Sequence, residues 1–257
     1  MNIKITSLLV CIALVGMHTI SEAQLLRGIG KQIQEKMAEG QSGGTEKSTP
    51  PAVASNYRFE LGITYAVSTT KGNKKSDQVD MSMWFSEKGY VGTGIEAEKN
   101  KMLIIYDSEK DAVINIMDDS KTYMVMSSKF MERFGKGVSD EEPEASGAIE
   151  KTGKTETILG YTCEQYRAKD NDMEVLLWLT KELGVDYSVF AKNMAKIMRN
   201  NKQQLPKGVA DMPGGMMLRM ESTDVKGRNT YMMEATTVHN DGRTVDMSAY
   251  KSTGFGV

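Results

Sequence analysis

The sequence predicts a mainly β fold of the α+β class, in which a strongly curved antiparallel sheet, a half-barrel, wraps around one helix. A closed β-barrel or a two-sheet sandwich is the alternative arrangement. Three observations lead there. Apolar and polar residues alternate at period two in about ten segments of the chain. Short polar turns separate most of those segments, so the connections are local. One stretch, Asp186 to Gln203, carries Tyr187, Phe190, Met194 and Ile197 at helical spacing instead, with Lys192, Lys196 and Arg199 on the opposite stripe.

Residues 1–23 read as a leader. A single Lys4 precedes the apolar stretch Ile5 to Met17, and Ser21-Glu22-Ala23 offers small residues at both recognition positions. A permanent anchor needs roughly 17 to 25 apolar residues, more than this stretch provides. Cleavage before Gln24 is expected, and with it export to the periplasm or the extracellular space, with no transmembrane segment in the mature chain. Leu25, Leu26, Ile29, Ile33 and Met37 then fall at helical spacing, so residues 24–39 are expected to form a short amphipathic helix. Residues 40–55, rich in Gly, Ser and Thr with the Pro50-Pro51 pair, cannot bury a face and read as a linker.

The β-rich region is expected over residues 56–254 as one domain. It opens with Tyr57, Phe59, Leu61, Ile63, Tyr65 and Val67 on one face of a strand, followed by a polar turn from Lys71 to Asp77 and a returning strand with Val79, Met81, Met83 and Phe85. Strands follow at Tyr90 to Ile95, Lys101 to Tyr106, Ala112 to Met117 and Lys121 to Met126. Phe130 to Glu156 breaks the pattern with Pro143 and the group Asp140, Glu141, Glu142 and Glu144, and its part from 135 to 156 reads as a mobile acidic loop. Tyr161 to Ala168 and Met173 to Thr180 form a hairpin across Asp170-Asn171-Asp172. Met216 to Glu221, Asn229 to Val238 and Thr244 to Tyr250 complete the sheet.

Composition limits the chemistry. The 257 residues carry a net charge of −2, with no basic excess to displace counterions from phosphates, so no nucleic-acid partner is expected. Past the leader one cysteine, Cys163, and one histidine, His239, remain. A lone cysteine excludes an internal disulfide, and a lone histidine excludes two-histidine zinc or iron sites. No metal or other cofactor is expected. A hydrolase, which is one alternative function, would have to use His239 as its base. Beside Asn240-Asp241-Gly242 that residue reads as an exposed turn histidine. Cys163, with Glu164 and Gln165 as neighbours, reads as core. Gly92-x-Gly94 precedes no helix and so cradles no pyrophosphate.

Methionine is the unusual number, twenty against six Phe and two Trp. Met81 with Met83, Met124 with Met126, and Met216 with Leu218 and Met220 make three rows on strand faces. Unbranched thioethers re-pack around apolar partners of varied shape. The expected function is therefore non-enzymatic: an exported envelope protein whose groove holds a lipid, an acyl chain or a lipidated partner. Its lining is expected to include Trp178 and Met194 besides the three rows. Burying an acyl chain of about twelve methylenes releases on the order of 10 kcal/mol before ordering costs, enough for micromolar binding. A copper(I)-sequestering protein built on the Met-x-Met pairs is the other alternative, since soft thioethers suit that ion.

The segment Thr157-Ile158-Leu159-Gly160-Tyr161-Thr162-Cys163-Glu164-Gln165-Tyr166, with Trp178-Leu179-Thr180-Lys181-Glu182-Leu183-Gly184 after it, resembles family 4412 of the domains of unknown function, a family of secreted bacterial proteins. The likeness spans residues 57–254, and the Gly-Tyr-x-Cys-x-x-Tyr hairpin is its most specific part. The family resembles, at a distance, the periplasmic lipoprotein-carrier superfamily, whose half-barrel holds acyl chains against a helix lid. That resemblance implies a similar curved sheet here.

Overall fold

A computed structural model describes residues 51–72, 74–76, 78–97, 100–127, 149–169, 173–185, 213–224 and 229–253. The leader, the helix expected at 24–39, the acidic group at 140–144 and the helix expected at Asp186 to Gln203 lie outside these residues.

The first alternating stretch does not form one strand. It bends at Glu60 into β1 (Asn56–Phe59) and β2 (Leu61–Lys71). β2 pairs antiparallel with β4 (Val79–Phe85) across a turn that also holds the short β3 (Lys74–Lys75), as the alternation predicts. β5 (Tyr90–Ala97), β6 (Asn100–Asp107), β7 (Ala112–Met117) and β8 (Thr122–Ser127) follow as an antiparallel meander. After them come β9 (Ile149–Ile158), β10 (Tyr161–Lys169), β11 (Met173–Thr180), β12 (Met216–Asp224) and β13 (Asn229–His239). β14 (Arg243–Asp246) leads through a 3-10 turn, Met247–Ala249, into β15 (Lys251–Ser252).

The main sheet runs β15-β8-β7-β6-β5-β4-β2-β13-β12-β11-β10-β9 and is curved but not closed, which sets aside the closed barrel. All its pairs are antiparallel except β15 with β8, which is parallel and corrects the purely antiparallel expectation. Three further expectations are corrected. Ile149–Ile158 is an edge strand where a loop was expected; its exposed Lys, Thr and Glu residues carry no apolar alternation to reveal it. The expected strand from Thr244 to Tyr250 ends at Asp246, where the side chain accepts from the Ser248 amide and starts the 3-10 turn. And β14 does not complete the main sheet but pairs with β1 as a separate two-stranded sheet.

That small sheet explains the bend at Glu60. Tyr57 and Phe59 belong to a second core with Trp84, Tyr90, Leu103, Ile105, Ile114 and Val245, while Leu61, Ile63, Tyr65 and Val67 belong to the first. β1 and β14 therefore cover one face of the meander, and among the described residues the arrangement is sandwich-like only there. Phe59 meets Tyr90 edge-on at 5.5 Å, and the Tyr90 hydroxyl both donates to the Arg58 carbonyl and accepts from its amide, at 2.9 Å each. Tyr57 donates to the buried Asp107 at 3.1 Å, whose other oxygen accepts from the Glu109 and Lys110 amides and closes the β6–β7 turn.

On the same face His239 and Trp84 are both register partners of Gly62. With no Cβ between them the two rings lean together and stack, centroids 5.3 Å apart at 25°. His239 Nε2 lies 2.9 Å from Thr64 Oγ1, and the Arg243 guanidinium sits 5.5 Å above the indole. The histidine is thus the half-buried last residue of a strand, not an exposed turn residue; the turn signal of Asn240-Asp241-Gly242 begins just after it. A Cβ on Gly62 would come 2.4 Å from the Trp84 ring. Gly62→Ala is expected to destabilise the fold by about 1–3 kcal/mol, the usual cost of overpacking, read as a lower denaturation midpoint with an unchanged slope.

The β9–β10 connection is a two-residue turn with positive φ at both positions, 52° at Leu159 and 88° at Gly160. Glycine is suited to that geometry and leucine is not. Leu159, 46% exposed, gains little packing in return. Leu159→Asn is expected to raise thermal stability by about 1 kcal/mol, checked by calorimetry.

Candidate functional site

Registers place one set of side chains on a single face of the sheet from β10 to β8. Tyr166, Leu177, Met220, Met233, Val67 and Val79 are successive cross-strand partners. Because Val79 and Met83 share a strand parity, the same face continues through Met83, Thr93, Ile104, Asn115 and Met124, again successive partners. A flanking row runs Phe85, Val91, Tyr106, Val113 and Met126.

Burial changes along these rows. At the centre Ile63, Met81 and Met83 are 0% exposed, and Thr93 on β5 is still buried. Beyond β5, Met102, Ile104, Asn115 and Met124 are half-buried, and Met117 is 40% exposed. Met102 and Met117 are direct cross-strand partners. The flanking row closes one side of this strip, since Val91, Val113 and Met126 are buried.

The strip is apolar where an ordinary sheet would be polar. An antiparallel sheet with one solvated face alternates apolar-in with polar-out. In β6–β8 the covered face is apolar, with Leu103, Ile105, Ile114, Ile116 and Val125 all buried toward β1 and β14. Between Met102 and Met126 the other face is apolar as well, with Asn115 and Thr122 as its polar strand residues.

The residues expected to line a groove fall into different settings. Met81, Met83, Met216, Leu218 and Met220 are fully buried, and Met126 nearly so. The Met-x-Met pair of β4 is thus closed to solvent. A bulge beside Trp178 and Leu179 disturbs the clean row expected on β12, and Met217 is buried along with Met216 and Leu218. Trp178 shares its face with its partner Arg219, opposite to that of Leu177 and Met220. The Arg219 guanidinium sits 5.1 Å over the indole and donates to Glu156 and Glu234 at 2.7 Å each. Met194 lies outside the described residues. Of the expected lining, Met124 alone reaches the half-open strip, and it is joined there by Met102, Ile104, Asn115 and Met117.

Sequence reasoning missed those four because it looked for methionines two apart on one strand. The signal was available: aligning Lys101–Tyr106 with Ala112–Met117 across the turn at Asp107 brings Met102 opposite Met117.

Cys163 and His239, the two groups singled out by the sequence, are both held within the fold. Burial pushes the Cys163 thiol up to about 11, so it stays protonated at neutral pH, and its side chain is 0% exposed. His239 is engaged by Thr64 and Trp84. Among the described residues no group of three or more His, Cys, Asp or Glu side chains is placed to hold a metal. No helix of the described residues is long and apolar enough to cross a membrane.

The family described as Domain of unknown function (DUF4412) matches residues 68–251, most of the sheet and all of the strip. The chain belongs to the DUF4412 family. No curated protein matches this DUF4412 chain. Among solved structures it is similar to PNGF-II, with 16% identity and a TM-score of 0.38 over 79% of this chain and 32% of that one. The DUF4412 chain therefore spans about a third of the length of PNGF-II. An uncharacterized conserved protein from Thermus thermophilus is similar at 6% identity and TM-score 0.36, covering 70% of this chain and 77% of that one. A LolA superfamily protein from Nitrosomonas europaea is similar at 10% identity and TM-score 0.26, covering 69% and 84%.

Thioether oxidation reports the burial gradient directly. Under dilute peroxide Met117, Met102 and Met124 are expected to form sulfoxide well before Met81, Met83, Met216 and Met220, as read by peptide mass spectrometry. Equal rates would contradict the described burial.

Proposed function

We propose that this DUF4412 protein is an exported, non-enzymatic envelope protein that holds an apolar ligand, a lipid, an acyl chain or a lipidated partner, against the half-open side of β6–β8. Residues 1–23 serve as its leader, and the periplasm is its compartment. One observation carries the reading: strands already buried on one face by β1 and β14 keep Met102, Ile104, Met117 and Met124 on the other, where solvation alone would select polar residues. Methionine suits that position because a flexible, polarizable side chain adapts to chains of different length and unsaturation.

The absence of enzymatic work in this proposal agrees with the state of the two groups best able to do it. Cys163 is sealed and protonated, and His239 is stacked and bonded. Neither lies on the strip's face, for His239 shares the face of Trp84 and Cys163 shares that of Trp178.

The test is displacement of an environment-sensitive apolar fluorophore by long-chain compounds, with native mass spectrometry of gently purified protein for a retained lipid. Met117→Glu combined with Met124→Glu is expected to weaken fluorophore binding at least about tenfold, because the charge must be desolvated for a ligand to pack there. Met81→Leu is expected to leave binding unchanged. Failure of the parent protein to bind any of the compounds, together with a clean apo mass across repeated preparations, would defeat the proposal.

A further inference from the structure

Thr93 sits where the buried centre of the face gives way to the half-open strip, between Met83 and Ile104 in register. It is 6% exposed, and its hydroxyl has no hydrogen-bond partner among the described residues. A buried hydroxyl without a partner is destabilising by about 1–3 kcal/mol, and valine would fill the same space without that penalty. β-Branching alone therefore does not account for threonine here. On its own face the described neighbours are Met83, Val91, Met102, Ile104 and Tyr106, none of them charged. Asn115, the next polar side chain along the row, is half-buried two strands away.

We infer that Thr93 is a specificity determinant for the ligand of the strip, pairing with one neutral oxygen carried by an otherwise apolar chain: a fatty alcohol or the carbonyl of an acyl ester. The inference rests on the apolar-ligand reading and narrows it. A carboxylate is disfavoured, since its charge would be desolvated beside Thr93 with no cation near it among the described residues of that face. A plain hydrocarbon leaves the hydroxyl as unpaired as before. A neutral oxygen satisfies it without burying a charge, and the hydrocarbon tail then lies along Ile104, Met102, Met117 and Met124.

The experiment compares 1-dodecanol, dodecanoate and n-dodecane as competitors of the apolar fluorophore on the parent protein, Thr93→Val and Thr93→Ser. The parent is expected to favour dodecanol over dodecane by about tenfold, the scale of one hydrogen bond in a dry site. It should favour dodecanol over dodecanoate as well. Thr93→Val should lose the preference over dodecane while binding dodecane as the parent does, and should melt no lower than the parent. Thr93→Ser, which keeps the hydroxyl, should retain the preference. A parent that binds dodecane and dodecanol equally, or a Thr93→Val protein that keeps the full preference, overturns the role of Thr93 while the apolar-ligand reading stands. A parent that binds none of the three overturns both.

Discussion

Cross-strand register is the constraint from which the rest of this molecule follows. The side-chain period of a strand is two, so a slip of one residue in any ladder would carry its whole apolar set to the opposite face. Here the ladders hold one apolar face in phase from Tyr166 on β10 to Met126 on β8, along stretches that lie to one side of the bulges beside Trp178 and Thr236. The central strands can hold that phase because they are specified from both sides. β2 and β4 present Ile63, Tyr65, Met81 and Met83 to one core while Gly62 and Trp84 engage the other. A strand locked by two cores has no second register of similar energy.

The bend at Glu60 makes the second core possible. Had the alternating stretch continued straight, Tyr57 and Phe59 would have joined Leu61 and Ile63 on the first face, leaving Leu103, Ile105, Ile114 and Ile116 uncovered. Turning the chain there brings two aromatic rings and the β14 strand over them. Covering that side has a consequence for the other. With β6–β8 already anchored, their opposite face is free of the duty of holding the strands in place, so its composition reports on something else. It is apolar and half-open, and its methionines cross-pair between β6 and β7.

Most strands were legible in the sequence because alternation is a local property. β4 to β8 and β10 to β13 fall close to their expected places, and Asp107 closes its turn with the backbone contacts its type suggests. Non-local features were not. Alternation is blind to a bend that preserves its phase, so β1 and β2 read as one strand. It is blind to β9, whose solvent-facing residues are charged or polar with no apolar alternation, and to the partner of β14, which is decided by the distant β1. The site was legible in kind but not in place. The abundance of methionine was visible in composition, yet the distinction between Met81, sealed, and Met117, accessible, depends on which strands β1 and β14 cover and where burial of the other face ends. His239 likewise carried a turn signal that belongs to its neighbours, and only the gap left by Gly62 explains why its ring packs on Trp84.

Thr93 and Gly62 show how two departures from local preference differ in meaning. Gly62 weakens its strand, since glycine has low strand propensity, but the loss is compensated on the spot: two rings close over it and gain a stacked contact. The departure is explained within the fold. Thr93 suits a strand well in its backbone preference, and its cost lies in a buried hydroxyl for which the described residues offer no partner. Natural sequences keep such inconsistencies chiefly where function requires them. That asymmetry is the reason to look for the compensation outside the chain, in a molecule that brings one oxygen of its own to the boundary between the closed and half-open parts of the face.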